Sequence, residues 1–134
     1  MDVLILAAGL GTRMEYLTKD LPKPLLPIKR KPLIDYAFDL IEPLKTGNIF
    51  VNTHYYADLI QSHVKKNYED IKISFEPEIL GTGGGIKKIH QNDLLVLNTD
   101  NIWQAQFAQE IEIAWDYFQN NRNIDNLLLT NIKS

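Results

Sequence analysis

The chain has 134 residues, 45% of them hydrophobic and 23% charged, with a net charge of −3 and no cysteine. That is the length and composition of one globular domain. It excludes a disulfide framework and a thiolate metal site, and no apolar run approaches the ~18 residues of a transmembrane helix. Met1-Asp2 lacks the basic start of a secretory leader, so a cytoplasmic location with no membrane partner is expected.

Short β-rich runs alternate with helical periods along the chain. Val3–Leu6 reads as a first strand and Tyr36–Leu44 as a helix, with Ile34, Ala37, Phe38 and Ile41 at 3–4 spacing. Asn48–Thr53 reads as a second strand, Ala57–Lys66 as a helix, and Ile71–Phe75 as a third strand. A helix begins at Gly84–Ile89. Leu94–Leu97 is a fourth strand, apolar without alternation, and so expected to be buried on both faces. Phe107–Phe118 is a strongly amphipathic helix, and Leu127–Leu129 a last apolar run expected to form a terminal strand. The alternation predicts a Rossmann-like three-layer α/β/α fold with a mostly parallel sheet, truncated at the C-terminus. Ligands bind such sheets beyond the carboxyl ends of the strands. The polar segments fall there: the loop after Leu6, Asn52-Thr53-His54, the glycine-rich run after Phe75, and Asn98-Thr99-Asp100.

Charge is spread unevenly. Residues 1–33 hold six Lys/Arg against three Asp/Glu, a local +3 that leaves −6 on the other 101 residues. Nucleic-acid-binding domains are usually basic throughout, so this pattern points to a small anion and away from nucleic acid. Lys29, Arg30 and Lys31 read as a solvated turn.

Four segments carry the chemistry. After the first strand comes Ala7-Ala8-Gly9-Leu10-Gly11-Thr12-Arg13-Met14, where small residues free backbone N–H groups for a phosphate and Arg13 adds charge. It lacks the Gly-Lys-Ser/Thr ending of a P-loop, and Met14 stands where a dinucleotide fingerprint needs Gly or Ala. Lys23 lies between Pro22 and Pro24, which fix φ on both sides. Leu80-Gly81-Thr82-Gly83-Gly84-Gly85 holds four glycines in five positions, which suits a ligand lying flat on the backbone or a helix N-terminus facing an anion. Asp100 follows the fourth strand, at a place suited to Mg²⁺ or equally to a helix cap. Of the histidines, His54 lies near the predicted site, while His63 and His90 read as packing or surface residues. Asp116 and Asp125 read as surface residues.

These motifs resemble the sugar-1-phosphate nucleotidyltransferases, a family of nucleotidyltransferase type A fold. The likeness runs from Leu6–Met14 with Leu17-Thr18 and Pro22–Pro27 through Asn52–Tyr55 and Leu80–Ile86 to Asn98–Trp103. The branches it most resembles are N-acetylmuramate-1-phosphate uridylyltransferase and the mannose-1-phosphate guanylyltransferase-like enzymes. The resemblance implies transfer of NMP from an NTP, UTP or GTP, to a sugar-1-phosphate, with Mg²⁺ as cofactor. Ala7, Ala8 and Gly9 would line base and ribose. Gly11, Thr12 and Arg13 would hold the triphosphate and Lys23 the α-phosphate. Gly81 and Thr82 would approach the base, Glu76 occupies a base-contacting position, and Asp100 would bind the metal. Arg13, Lys23 and Asp100 are thus the catalytic candidates. Residues 1–134 would be the nucleotide-binding part of such a domain, with the sugar-binding C-terminal part absent. Two other readings stay open: a nucleotide-binding remnant without catalysis, and a redox protein with a Rossmann-type NAD site.

Overall fold

The computed structural model of the chain describes residues 1–89 and 92–130. Its centre is a parallel sheet of four strands: β1 (Asp2–Leu6), β4 (Ile49–Thr53), β5 (Ile71–Phe75) and β6 (Leu94–Asn98). Between β1 and β4 lie two 3-10 segments, Thr12–Thr18 and Lys23–Leu25. A small antiparallel hairpin follows, β2 (Pro27–Ile28) with β3 (Lys31–Pro32). The helices are α1 (Leu33–Ile41), α2 (Ala57–Asn67), α3 (Gly81–Ile89) and α4 (Phe107–Asn120).

The strand order is β5-β4-β1-β6. The chain winds outward from β1 to β5, then returns to place β6 on the other side of β1. This reversal is the topological switch point at which open α/β sheets bind ligands. In register, Ile5 faces Val51 and Leu97, and Leu6 faces Asn52 and Asn98. The carboxyl ends of three neighbouring strands therefore finish level with one another.

Side-chain alternation splits the sheet into two faces. Val3, Ile5, Val51 and Leu97 pack in one core with Ile34, Ala37, Phe38 and Ile41 of α1, Ile60 and Val64 of α2, and Ala108 and Ile111 of α4. Each fully buried aliphatic side chain there contributes about 1.5–3 kcal/mol. The other face carries Leu4, Asn52 and Ser74, all buried, and it is met by α3. The three-layer arrangement is thus as expected, with the second helical layer reduced to α3 among the described residues.

Local chemistry explains where element boundaries move. α1 begins at Leu33, three residues before Tyr36, directly after Pro32, and it ends at Ile41 ahead of Pro43, which disfavours helix at the residue before it. α2 has Asp58 in its first turn and Lys65 and Lys66 in its last, each matching the helix dipole. At the sheet's amino end, Asp2 accepts the Asn48 N–H at 2.8 Å, and that bond first of all holds its carboxyl below the ordinary carboxylate range.

Two expectations fail. Leu94–Leu97 is not buried on both faces: β6 ends the sheet order, and Leu94, Leu95 and Val96 are only half-buried. Leu127–Leu129 forms no strand and is exposed, Leu128 to 82%. An apolar run of three residues offers too little periodicity to distinguish a strand from coil. No described helix is long and apolar enough to cross a membrane.

The β2–β3 turn is made by Lys29 and Arg30, with φ of 50° and 68°. Positive φ at both central residues is the geometry for which Asn-Gly is preferred. Arg30→Gly should therefore stabilise the fold by about 1 kcal/mol, by relieving the left-handed penalty of a residue bearing Cβ. A rise in the midpoint of thermal unfolding checks this; an unchanged or lower midpoint rejects it.

Candidate functional site

A cleft of about 220 Å³ opens at the switch point. One wall is the loop leaving β1, with Ala8 and Gly9, and the opposite wall is the start of α3, with Gly81 and Thr82. Asn52 and Glu76 line it from the ends of β4 and β5, Lys23 and Pro24 from the second 3-10 segment, and Asn98, Thr99 and Asp100 from the end of β6. Thr99 ties the ends of β6 and β1 together, its hydroxyl donating to the Leu6 carbonyl at 2.8 Å.

A buried polar chain joins the two walls. Ala7 N–H donates to Asn52 Oδ1 at 2.7 Å, Asn52 Nδ2 donates to Glu76 Oε1 at 2.9 Å, and Leu80 N–H donates to Glu76 Oε2 at 3.0 Å. The Asn52 amide has one possible orientation, because the Ala7 N–H requires an acceptor and so turns the amide nitrogen toward Glu76. Asn52 is 3% exposed and Glu76 wholly buried. Glu76 is anchored by its backbone as well, its N–H reaching Thr53 O at 2.8 Å and its carbonyl lying 2.7 Å from His54 Nδ1.

Five of the seven glycines bear on the site and fall into three kinds. Gly11 and Gly81 have φ of 66° and 67°, conformations that residues with a Cβ seldom adopt. A Cβ on Gly85 would lie 3.0 Å from both Asn52 Nδ2 and Glu76 Oε1, so Gly85 makes room for the buried polar chain. Gly9 and Gly83 have no such demand: nothing lies within 4 Å of an added Cβ at either.

The Thr12–Thr18 segment is strapped down by hydroxyls. Thr18 Oγ1 donates to Gly11 O at 3.0 Å, Tyr55 to Thr18 O at 3.0 Å, and Tyr56 to Lys19 O at 2.6 Å. Thr12 lines a second, shallower depression with Leu10, Tyr16 and Tyr55, and Arg13 is exposed to solvent.

Across the cleft mouth, Lys23 Nζ lies 3.3 Å from Asp100 Oδ2. With side chains 31% and 50% exposed, the pair contributes little to stability. Its value is chemical, since it sets a cation and an anion side by side. Among the described residues no group of three or more His, Cys, Asp or Glu could hold a metal alone. Asp100 is one hard oxygen ligand, which suits Mg²⁺ when phosphate oxygens and water complete the shell.

The structure thus gathers Ala8, Gly9, Lys23, Glu76, Gly81, Thr82 and Asp100 around one cleft, with Ala7 buried just behind it. Gly11, Thr12 and Arg13 lie beside the cleft and not in its lining. Asn52, Asn98 and Thr99 line it without having been given roles; the signal for Asn52 was a polar residue inside the apolar run Ile49–Thr53. His63 pairs with Asp35 at 2.6 Å on α1 and α2, and His90 lies outside the described residues. Asp116 and Asp125 are exposed, as read.

Residues 2–124 match the Nucleotidyl transferase family. The chain is 35% identical over 114 residues to the D-glycero-alpha-D-manno-heptose 1-phosphate guanylyltransferase of Campylobacter jejuni, covering 81% of this chain and 52% of that protein. It is 37% identical over 126 residues to the N-acetylmuramate alpha-1-phosphate uridylyltransferase of Caulobacter vibrioides, covering 84% and 52%. The crystal structure of HddC from Yersinia pseudotuberculosis is similar with a TM-score of 0.67 at 33% identity, over 86% of this chain and 54% of that one. HddC complexed with GMP-PN gives a TM-score of 0.62 at 34% identity over the same shares. The chain therefore spans about half the length of these relatives.

Gly83 and Gly85, two positions apart in α3, should respond oppositely to a methyl group. Gly83→Ala should stabilise by about 0.5–1 kcal/mol, because alanine costs less backbone entropy in a helix. Gly85→Ala should destabilise by about 1–3 kcal/mol, because the methyl pushes Asn52 and Glu76 apart. Denaturant midpoints of the two variants check the contrast, and equal effects would reject it.

Proposed function

The chain belongs to the nucleotidyl transferase family, and on that premise we propose that it is the nucleotide-binding part of a sugar-1-phosphate nucleotidyltransferase. The observation that carries this reading is the cleft at the β1/β6 switch point, with glycine-rich backbone on both walls and Lys23 and Asp100 at its mouth. A flat base fits between two backbone walls, and a triphosphate needs the cation. The named activities of the relatives support the same class of substrates, an NTP and a sugar-1-phosphate.

In this reading the backbones of Ala7, Ala8 and Gly9 run along base and ribose, and Gly81 and Thr82 face the base from α3. The N–H groups of Gly11 and Thr12, with the Arg13 guanidinium, hold the triphosphate, and Lys23 reaches the α-phosphate. Glu76 belongs to the nucleotide site as part of its inner wall. Mg²⁺ held by Asp100 would neutralise charge on the triphosphate. A phosphate oxygen of the sugar-1-phosphate attacks the α-phosphorus; the bond from that phosphorus to the bridging oxygen of the β-phosphate breaks, and pyrophosphate leaves. No side-chain nucleophile is needed, so the protein's work is positioning and charge neutralisation. Gly9 fits this reading, since nothing in the chain itself requires a glycine there.

A second reading assigns the same cleft to nucleotide binding alone. In it, this chain binds the nucleotide and catalyses no transfer. Pyrophosphate release from UTP or GTP with Mg²⁺ and a panel of sugar-1-phosphates tests the two. Release supports the enzyme; NTP binding without release supports the binding module; absence of NTP binding rejects both.

Arg13→Ala and Lys23→Ala should each weaken NTP binding about tenfold or more while leaving unfolding midpoints unchanged, because each removes a charge-assisted contact made by a side chain outside the hydrophobic core. Asp100→Asn should remove the Mg²⁺ dependence of NTP binding. Calorimetric titrations with and without Mg²⁺ read both effects, and wild-type behaviour of a variant would withdraw the role of that residue.

A further inference from the structure

The buried chain Ala7–Asn52–Glu76–Leu80 is larger than the fold needs. Parallel strands β4 and β5 are already held by their own ladder, from Ile49↔Ile71 to Thr53↔Phe75. A polar amide and a carboxylate behind the cleft add desolvation cost unless every group is matched. Here each is matched, and each match ends on a wall of the cleft. One end is the Ala7 N–H, in the backbone that continues as Ala8 and Gly9. The other is the Leu80 N–H, in the backbone that continues as Gly81 and Thr82. The side chains between them run Oδ1 to Nδ2 and Oε1 to Oε2, with contacts of 2.7, 2.9 and 3.0 Å. Gly85 carries a hydrogen atom where a methyl would lie 3.0 Å from both Asn52 Nδ2 and Glu76 Oε1.

We propose that Asn52 and Glu76 form a spacer that sets the distance between the two backbone walls, and so the width of the slot that takes the nucleobase. Both are positioning residues. They act through Ala7 and Leu80, and the ligand chemistry they select is a flat heterocycle between two peptide faces. The inference rests on the nucleotide reading above. It differs from direct recognition of the base by Glu76, in which a second lone pair of a carboxylate oxygen would accept from the base; the two are separated by the double variant below.

The polarity of the chain permits a sharp test. Asn52→Asp puts an oxygen opposite Glu76 Oε1, so two acceptors face each other. Glu76→Gln must set its amide nitrogen against either the Asn52 Nδ2 or the Leu80 N–H, so two donors face each other. The double variant restores every contact with the polarity reversed: the new carboxylate accepts from Ala7 and from the new amide, whose oxygen accepts from Leu80.

Affinity is measured for whichever of UTP and GTP the wild-type chain binds more tightly, and for inorganic tripolyphosphate, with unfolding followed for every variant. Each single variant is expected to weaken nucleotide binding about tenfold or more, because a buried polar group is left unmatched. The double variant should return to within about threefold of wild type, a strong coupling between the two sites. Tripolyphosphate affinity, which depends on the loops bearing Arg13 and Lys23, should stay within about twofold throughout. A folded single variant that binds nucleotide like wild type overturns the proposal. So does a fall in nucleotide and tripolyphosphate affinity together, or a double variant no better than Glu76→Gln, which would place Glu76 in direct contact with the base. Should Asn52→Asp fail to fold, Glu76→Gln against the double variant decides the same question. A wild-type chain that binds no NTP overturns the nucleotide reading and the spacer with it; wild-type binding with no rescue overturns the spacer alone.

Discussion

The hydrogen bond between Asn52 and Glu76, 2.9 Å long and closed to solvent, is the constraint on which the local structure of the cleft depends. A carboxylate in such a place tolerates no partial satisfaction, for an unmatched buried charge costs several kcal/mol. That demand propagates outward. It fixes the orientation of the Asn52 amide, brings the Ala7 and Leu80 N–H groups inward, and leaves little room for a Cβ at Gly85. A stretch of chain as glycine-rich as Gly81–Gly85 would otherwise have little reason to begin a helix. Here the helix begins where Leu80 is pinned to Glu76, and the glycines that follow are tolerated because the first turn is held from outside.

The same constraint separates glycines that sequence alone presents as one motif. Gly81 answers to backbone conformation and Gly85 to close approach. Gly83 answers to neither, so it marks the part of the run that is not fixed by the fold. Gly11, in the first loop, answers to both: its φ is 66°, and a Cβ would meet Thr18 Cγ2 at 2.9 Å. Gly9 alone lines the cleft with neither reason. Counting glycines could not have made these distinctions, because they depend on backbone conformation and on what the fold brings against each position.

Much of the fold was legible because it rests on local periodicity. Ile71–Phe75 and the starts of α2 and α4 stand where the apolar spacing put them. What escaped was governed by tertiary position. Leu94–Leu97 reads as a central strand from composition, yet its burial is set by its place at the end of the sheet order. The 3-10 segment Thr12–Thr18 has no period of its own and is held by the hydroxyls of Tyr55 and Tyr56, almost forty residues away. The charged run Lys29–Lys31 marked a turn, but the β2–β3 pairing around it went unread, because Lys29 and Arg30 stand where hairpin chemistry calls for Asn-Gly. In the cleft, the charged and glycine positions were legible because they are unusual in sequence. Asn52 was legible as part of the polar segment Asn52-Thr53-His54 at a strand's carboxyl end, but its pairing with Glu76 rests on a contact 24 positions away.

Lys23 and Asp100 show how a nearly neutral cleft can serve a highly charged ligand. Standing 3.3 Å apart, they cancel one another's field and leave the mouth of the cleft without net charge. An anion alone would have to draw Lys23 away and strand Asp100 beside it; a cation alone would do the reverse. In the proposed reading, a metal–triphosphate complex would replace both halves of the pair at once, with phosphate on the ammonium and the metal on the carboxylate. Each lost contact is then exchanged for one of the same kind in the same place. The pair would then disfavour either ion alone relative to the complex. Local charge excess in residues 1–33 and acidity elsewhere meet at this one point, where Lys23 from the basic segment reaches Asp100 from the acidic one.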